Sequence, residues 1–332
     1  NMAYAKEYFS YIMLGIPFYM FGQAINPIMR SDGSPRYAMV ATLAGAILNV
    51  ILDPIAIFVL DWGMAGAALA TVIGQILTAI LSVAYLFKMK AVKLRRTSFV
   101  IKTEIICKFI PLGFCSLLSQ GAMVISWAFT NNMLVKYGVL SEYGADIPLT
   151  VIGIVCKFLQ IVISISIGMA AGCIPIVGFN FGAKRFDRTR DIMWKLLACE
   201  TVLGLTAFIV IECFPTQLIS LFGDEGDLYL QFAIKSFRIY LSMIPLACIN
   251  KAAFIFMQSL GKPVLSTGLS FLREVVLNVP LVVILPVYFG VEGILYSMPV
   301  SDVIAFFASA IIIIHTNVQL KKSLTPEVRQ PG

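Results

Sequence analysis

Long apolar runs separated by short polar connections make up most of the chain, and this pattern predicts membrane-spanning helices. A bilayer core about 30 Å thick needs roughly 20 apolar residues per helix, and each run reaches that length. The runs are continuous, whereas strands of a membrane β-barrel alternate apolar and polar residues over about ten positions. Gly, Pro and charged residues divide the chain into nine predicted helices, at 8–29, 36–60, 65–87, 104–136, 147–178, 188–213, 228–260, 264–288 and 291–316.

Composition supports an integral membrane protein and excludes other common classes. Of the 332 residues, 59% are hydrophobic and only 13% are charged, with a mean hydropathy of +0.89. Such a chain is too apolar for a soluble domain or a disordered segment. With a single histidine, His315, it cannot build a histidine metal cluster, and it has no GxxxxGK(S/T) loop for ATP. We therefore expect no enzyme activity and no cofactor other than a coupling ion.

The basic residues, which give the chain a formal charge of +7, lie mostly in alternate connections. Sixteen of the 25 Lys and Arg fall in connections 30–36, 88–102, 179–190 and 261–263 or in the C-terminal tail, and the intervening connections hold none. By the positive-inside rule, the basic set is cytoplasmic. The sequence therefore predicts a plasma-membrane protein with a cytoplasmic C-terminus and an outward N-terminus. Topology accounts for the charge, so we expect no nucleic-acid partner.

An internal repeat relates the beginning of the chain to its end. The two copies share Ile-Pro, Met, Gly and Pro residues at an offset of 228, at positions 16–17, 29, 33 and 35 and again at 244–245, 257, 261 and 263. The Leu-Asn-Val of 48–50 recurs at 277–279. Six predicted helices separate the copies, so both have the same orientation in the membrane and form a parallel repeat.

The repeat predicts an all-α polytopic membrane protein with two six-helix bundles, of which the first is only half present. Residues 1–90 would be the second half of the N-terminal bundle, and 91–103 a cytoplasmic basic linker. Residues 104–320 would form the C-terminal six-helix bundle, and 321–332 a cytoplasmic tail. By the same arithmetic, we expect about 125 further residues carrying three helices to precede residue 1.

Several short motifs together resemble the multidrug and toxic compound extrusion (MATE) family. They are Gly-Ile-Pro-Phe at 15–18, Asn-Val-Ile-Leu-Asp-Pro at 49–54, Gly-Met-Ala-Gly-Ala-Ala at 63–68, Pro-Ile-Val-Gly-Phe-Asn-Phe-Gly-Ala-Lys at 175–184, Gln-Ser-Leu-Gly-Lys-Pro at 258–263 and Pro-Val-Ser-Asp at 299–302. The resemblance covers the fourth to twelfth family helices. It implies two bundles facing a central cavity, alternating access, and export of organic molecules, often cationic, in exchange for sodium ions or protons. The family's first helix often contributes a cation-binding Asp, and that helix is not in this chain.

Asp53 is the strongest candidate for ion coupling. It lies about 25 Å along the second helix from its cytoplasmic end at the α-helical rise, where a charge costs about 2.5–3.5 kcal/mol on insertion scales. Asn49 precedes it by four residues, so the two side chains share a face. A carboxylate and an amide can supply oxygen ligands for Na⁺ or form a protonatable site. The alternative is a hydrogen bond that only stabilises helix packing, a role that suits Asn49 taken alone.

Other polar residues inside the predicted spans are candidates for a substrate or coupling path. They are Gln120, Lys157, Gln160, Asn250, Lys251, Arg273 and Asp302. Lys157 can hold an anion or a substrate, respond to a proton, or pair with a carboxylate. Arg273 and Asp302 lie at depths within about 6 Å of each other, so we expect them to pair or to face the cavity together. Glu274, about 100° around the helix from Arg273, is expected to point elsewhere.

The sequence thus predicts a secondary antiporter that exports small, amphipathic, cationic organic compounds in exchange for Na⁺ or H⁺. The alternative is a lipid-linked saccharide flippase of the same superfamily, in which Lys157, Lys251 and Arg273 would hold a diphosphate. A third possibility is a membrane scaffold without transport. The expected partners are a small organic substrate and the lipid bilayer, and we expect a monomer.

Overall fold

The computed structural model describes residues 2–90, 103–144, 146–220 and 226–323, and this part of the chain is helical without strands. The α-helices are α1 (Met2–Ser31), α2 (Pro35–Pro54), α3 (Gly63–Leu86), α4 (Thr103–Gly138), α5 (Asp146–Gly182), α6 (Phe186–Cys213), α7 (Pro215–Ser220), α8 (Asp227–Tyr240), α9 (Ile244–Ser259), α10 (Pro263–Phe271), α11 (Val279–Phe289) and α12 (Val291–Lys322). Two π-helical segments, Ile55–Val59 and Leu272–Asn278, continue α2 and join α10 to α11.

The predicted all-helical membrane fold is confirmed. In the described part, eight helices are long and apolar enough to cross a bilayer, and the bent pair α8 and α9 brings the number to as many as nine. Each of the nine predicted runs corresponds to one of these spans. Helix α12 continues six residues beyond its predicted end, to Lys322, because a helix can extend past the apolar core without breaking its own hydrogen bonds.

Large apolar side chains cover much of the outer surface. Phe58 and Phe87, for example, are each 82% exposed. In water such a surface would promote aggregation, whereas in a bilayer the hydrocarbon tails of the lipids solvate it. The exposed apolar surface therefore agrees with membrane embedding.

The seventh predicted helix, 228–260, is broken rather than continuous. Helix α8 ends at Tyr240, α9 begins at Ile244, and the two are bent by 46°. Pro245 has no backbone N–H, and its ring would clash with the carbonyl of Leu241 in an unbroken helix. The chain instead makes a turn in which the Ile244 N–H donates to the Leu241 carbonyl at 3.1 Å.

Prolines also border the two π-helical segments. The first follows Pro54, and within it the Leu60 N–H donates to the carbonyl of Ile55, five residues earlier, at 3.0 Å. The second ends at Asn278, two residues before Pro280. Pro280 has no N–H to donate to the carbonyl four residues earlier, and its ring would clash with that carbonyl. A π-helical turn accommodates one extra residue and re-aims the side chains around it. The second segment carries Arg273 and Glu274, and the first begins two residues after Asp53.

The described helices belong to two compact units, residues 1–102 and 103–332. In the first unit, α1 and α2 both pack against α3. In the second, α9 packs against α5, α6 and α12, while α10 and α11 pack against α4. The predicted linker 91–103 lies outside the described residues except for its last position, and the predicted tail lies outside them from residue 324 onward.

Helices α2 and α3 touch through their backbones at two glycines. A Cβ added to Gly45 would lie 2.6 Å from the carbonyl oxygen of Gly74, and a Cβ on Gly74 would lie 2.6 Å from the carbonyl oxygen of Gly45. Both distances are too short for a real Cβ, so only glycine permits this approach. The contact fixes which faces of the two helices meet, and it lies one turn from Asn49 and Thr71.

Candidate functional site

Asn49, Asp53 and Thr71 form a hydrogen-bonded group between α2 and α3 in the first unit. The Asn49 Nδ2 donates to Asp53 Oδ1 at 3.1 Å and to Thr71 Oγ1 at 3.3 Å. The Thr71 hydroxyl in turn donates to the Ala67 carbonyl at 3.0 Å. Asn49 and Asp53 therefore share a helix face, as their spacing predicts. Thr71 is not among the predicted site residues, because its signal in the sequence is just a hydroxyl within an apolar run.

A groove of about 190 Å³ adjoins this group, is built from α1, α2 and α3, and combines polar side chains with a larger apolar surface. Its lining includes the side chains of Gln23, Asn26, Asn49, Thr71, Gln75 and Thr78, with Phe18 and Tyr19 as aromatic walls. Asn49 lies in the lining and also bonds Asp53, so it connects the carboxylate to the groove. The Gln75 Oε1 atom is buried and has no hydrogen-bond partner among the residues that the structure describes. Amides, hydroxyls and aromatic faces can together hold an organic molecule.

Four charged side chains meet inside the second unit. Arg273 donates from Nε to Asp302 Oδ1 at 2.6 Å and also bonds the Glu274 carboxylate through Nη1. Lys251 Nζ lies 4.0 Å from Glu274 Oε1. The side chains of Arg273 and Asp302 are only 6% and 4% exposed, and that of Lys251 is 20% exposed. The expected pairing of Arg273 with Asp302 is confirmed, and the four side chains, when ionised, carry no net charge.

The expectation that Glu274 points away from Arg273 is wrong. The two residues lie in the π-helical segment Leu272–Asn278, which turns by less per residue than an α-helix. The long Arg273 side chain also spans the remaining angle, so one guanidinium reaches both Glu274 and Asp302. Glu274 therefore belongs to the cluster.

Neutral polar side chains extend the cluster. Asn250 donates from Nδ2 to the backbone carbonyl of Asp302 at 3.1 Å, and its Oδ1 is buried without a partner. Asn278 donates to Ser126 Oγ at 2.5 Å and accepts from the Ser301 hydroxyl at 3.5 Å. These bonds tie α9, α12, α4 and the second π-helical segment together.

The three remaining predicted site residues lie elsewhere. Gln120 lies on an exposed face of α4, and Lys157 and Gln160 lie on an exposed face of α5. None of the three lines the groove of the first unit or takes part in the charge cluster. Their roles as substrate or coupling residues stay predictions.

Ionisable side chains buried within apolar spanning helices, together with a parallel repeat, define a polytopic membrane transporter. The MatE family model matches residues 2–55 and 121–284 of the chain. The chain belongs to this family of MATE transporters, which confirms the resemblance drawn from its motifs. It is therefore a transporter and not an enzyme.

Relatives and solved structures agree with this membership. Over 319 residues the chain is 24% identical to the multidrug export protein MepA of Staphylococcus saprophyticus, a match that covers 94% of this chain and 67% of the relative. Over 323 residues it is 25% identical to MepA of Staphylococcus aureus strain MSSA476, with the same shares covered. An outward-facing multidrug resistance MATE transporter of the MOP superfamily is 23% identical with a TM-score of 0.86, covering 95% of this chain and 70% of that one. An inward-facing one is 24% identical with a TM-score of 0.75, covering 96% and 73%. These structural likenesses establish the fold.

Proposed function

We propose that the protein is a secondary antiporter that exports small, amphipathic, cationic organic compounds in exchange for Na⁺ or H⁺ by alternating access. The observation that carries the proposal is the contact of Asp53 with Asn49, because Asn49 also lines the groove of the first unit. An ion bound at Asp53 can thereby act on the groove through a single side chain. The names of the MepA relatives, which are multidrug export proteins, support the substrate class.

The hydrogen bonds of Asn49 support a coupling step in this proposal. An ionised Asp53 accepts the Asn49 amide, whereas a protonated Asp53 can donate to an acceptor. A change of protonation therefore favours a different orientation of the Asn49 amide, whose other contact is Thr71 on α3. For Na⁺, the carboxylate, amide and hydroxyl oxygens of Asp53, Asn49 and Thr71 are the ligand types that a hard cation prefers.

The groove chemistry favours an organic cation as substrate. Phe18 and Tyr19 offer aromatic faces, which attract a desolvated cation through their ring quadrupoles. The amides of Gln23 and Gln75 add hydrogen bonds without fixed charge, so the groove does not demand one particular anionic or cationic headgroup.

A diphosphate-binding flippase fits less well, because it needs uncompensated basic residues. Lys251 and Arg273 are each close to a carboxylate in the charge cluster. Lys157, the third basic residue of that hypothesis, lies on an exposed face of α5, whereas Lys251 and Arg273 are mostly buried.

We further propose that the protein lies in the plasma membrane as a monomer with its C-terminus in the cytoplasm. The alternation of basic and acidic connections supports this orientation. Cysteine labelling near Lys322 in right-side-out and inverted vesicles checks it, and labelling from the outside alone would contradict it.

Transport in proteoliposomes tests the function. Efflux of a fluorescent organic cation is followed under a Na⁺ gradient and, separately, under a proton gradient. We expect transport to follow one gradient and to be lost in Asp53→Asn. Asp61→Asn is the matched control, since Asp61 is exposed and its positive φ of 54° is a conformation that asparagine tolerates. Absence of gradient-driven efflux by folded wild-type protein, or normal efflux by Asp53→Asn, would contradict the proposal.

A further inference from the structure

Glu200 occupies a core position of α6, in the middle of a membrane-spanning helix. Met193, Leu196 and Ile211 are the buried apolar residues on the same helix, and Glu200 lies between them in sequence. It is 0% exposed. An ionisable residue so deep in an apolar span is a functional candidate by the same criterion that selects Asp53.

Apolar clusters lie on both sides of this carboxyl group. Met193 and Leu196 belong to one buried cluster of the second unit. Ile211 belongs to the other, with Leu203 and Ala207 packed against it. A leucine or methionine at position 200 would continue this core, so packing alone does not explain a glutamate there.

No basic side chain in the described part of the chain neutralises the Glu200 carboxyl. Among these residues, neither of its buried oxygens has a hydrogen-bond partner, and the Ser166 hydroxyl of α5, which adjoins the carboxyl, is likewise buried and unbonded. The other ionisable groups close to it are the thiols of Cys173 on α5 and Cys248 on α9. The two basic side chains of the charge cluster have other carboxylates beside them, Arg273 with Asp302 and Glu274, and Lys251 with Glu274.

A carboxylate buried without a neighbouring cation is disfavoured, and one adjoining hydroxyl does not replace the water that it loses, whereas the protonated acid is tolerated and can donate to that hydroxyl. We propose that Glu200 is a second proton-binding site of this protein, filled when α6 and α9 are packed together and emptied to water when they separate. The release of this proton during transport rests on the proposed antiport function. The protonation of Glu200 does not, because it follows from the burial of the side chain and the lack of a neighbouring cation.

The packing of α6 against α9 supplies a place where such a separation can begin. Gly204, one turn beyond Glu200 on the same face, lies against Pro245, since a Cβ on Gly204 would be 2.5 Å from the Pro245 Cα. Pro245 stands at the break between α8 and α9. A change of the bend there would shift α9 along α6 and open the Glu200 site.

Infrared difference spectroscopy tests the protonated state without any substrate or gradient. A protonated carboxylic acid has a carbonyl stretch band that a carboxylate lacks. We expect wild-type protein at neutral pH to show a band that Glu200→Gln abolishes.

Glu212→Gln is the matched control on the same helix, because Glu212 is partly exposed and lies 3.6 Å from Arg238. Should Glu200→Gln fail to fold, Glu200→Leu, which suits a core position, replaces it. A spectrum unchanged by these variants would overturn the proposal.

A measurement of proton release tests whether Glu200 loses its proton when an organic cation binds. A pH-indicator dye in weakly buffered detergent solution measures protons released when a fluorescent organic cation binds. We expect Glu200→Gln to release fewer protons than wild type and Glu212→Gln to release the same number. Equal release by all three proteins, with the carbonyl band still lost in Glu200→Gln, would reject the exchange step. If no organic cation binds to the wild type, the proposed function fails, while the infrared result still decides the protonation of Glu200.

Discussion

Two asparagines related by the internal repeat, Asn49 and Asn278, have similar surroundings in the two units. Each contacts a hydroxyl on the next spanning helix, Thr71 at 3.3 Å on α3 and Ser301 at 3.5 Å on α12. The residue four positions later differs. It is Asp53 after Asn49, and it is the fully buried Val282 after Asn278.

This difference separates a site suited to ion exchange from one suited to structural stability. The carboxylate of the first unit is partly exposed, and its hydrogen-bond partner among the described residues is a neutral amide. In the second unit the carboxylates Glu274 and Asp302 are buried and both bond Arg273, and Lys251 lies near Glu274. A loosely held carboxylate can exchange a proton or a cation, whereas a compensated buried pair resists such exchange.

The largest loss of stability is expected from breaking the charge cluster. Arg273→Met leaves Asp302 and Glu274 without their main partner, and removal of one member of a buried pair typically costs about 3–5 kcal/mol. Thermal unfolding in detergent measures the loss. Arg238→Met is the control, because Arg238 is more than half exposed and lies 3.6 Å from Glu212, and exposed pairs contribute about 0–1 kcal/mol. Equal losses in the two variants would contradict the structural role of the cluster.

A smaller loss is expected from filling the α2–α3 contact. In Gly45→Ala the new Cβ meets the Gly74 carbonyl, and overpacking of this kind costs about 1–3 kcal/mol. Gly121→Ala on α4 is the comparison variant, since its Cβ would meet no atom within 4 Å. Unfolding temperatures of the two variants check the prediction, and a destabilised Gly121→Ala beside an unaffected Gly45→Ala would reverse it.

Lys251→Met should change stability less again, by no more than about 1 kcal/mol. Its ammonium group lies 4.0 Å from Glu274, which keeps its bond to Arg273 in the variant. The same unfolding measurement applies. A loss as large as that of Arg273→Met would mean that Lys251 is the main partner of Glu274.

The smallest change in stability, within about 0.5 kcal/mol, is expected for Asp53→Asn. The asparagine side chain retains an oxygen that can accept from Asn49, and the position is partly exposed. Its unfolding temperature should therefore match that of the wild type while its transport is lost. A strongly destabilised Asp53→Asn would assign Asp53 to packing instead.

The sequence predicts the spans well because their signal, a run of apolar residues, is local. It predicts the Arg273–Asp302 pair because depth along a helix follows from residue spacing. It does not predict the break at Pro245, since a proline within a span can either kink the helix or end it. The π-helical turn that brings Glu274 to Arg273 also depends on the neighbouring helices.

Two of the three hydrogen-bonded residues of the first unit, Asn49 and Asp53, could be predicted from the sequence, and Thr71 could not. Asn49 and Asp53 lie on one helix, so their spacing is enough to bring them together. Thr71 lies on α3, and its approach to Asn49 depends on the contact of Gly45 with Gly74. Glu200 had a usable sequence signal, a lone carboxylate in an apolar run.

The contact between Gly45 and Gly74 also limits how the groove can evolve. Every nucleotide substitution that replaces a glycine introduces a Cβ, so any missense change at these two codons pushes α2 away from α3. Codons for lining side chains such as Gln23 and Tyr19 carry no such restriction. Under the proposed function, natural variation that alters substrate range should therefore accumulate on the groove lining, while the two glycine codons should change only synonymously.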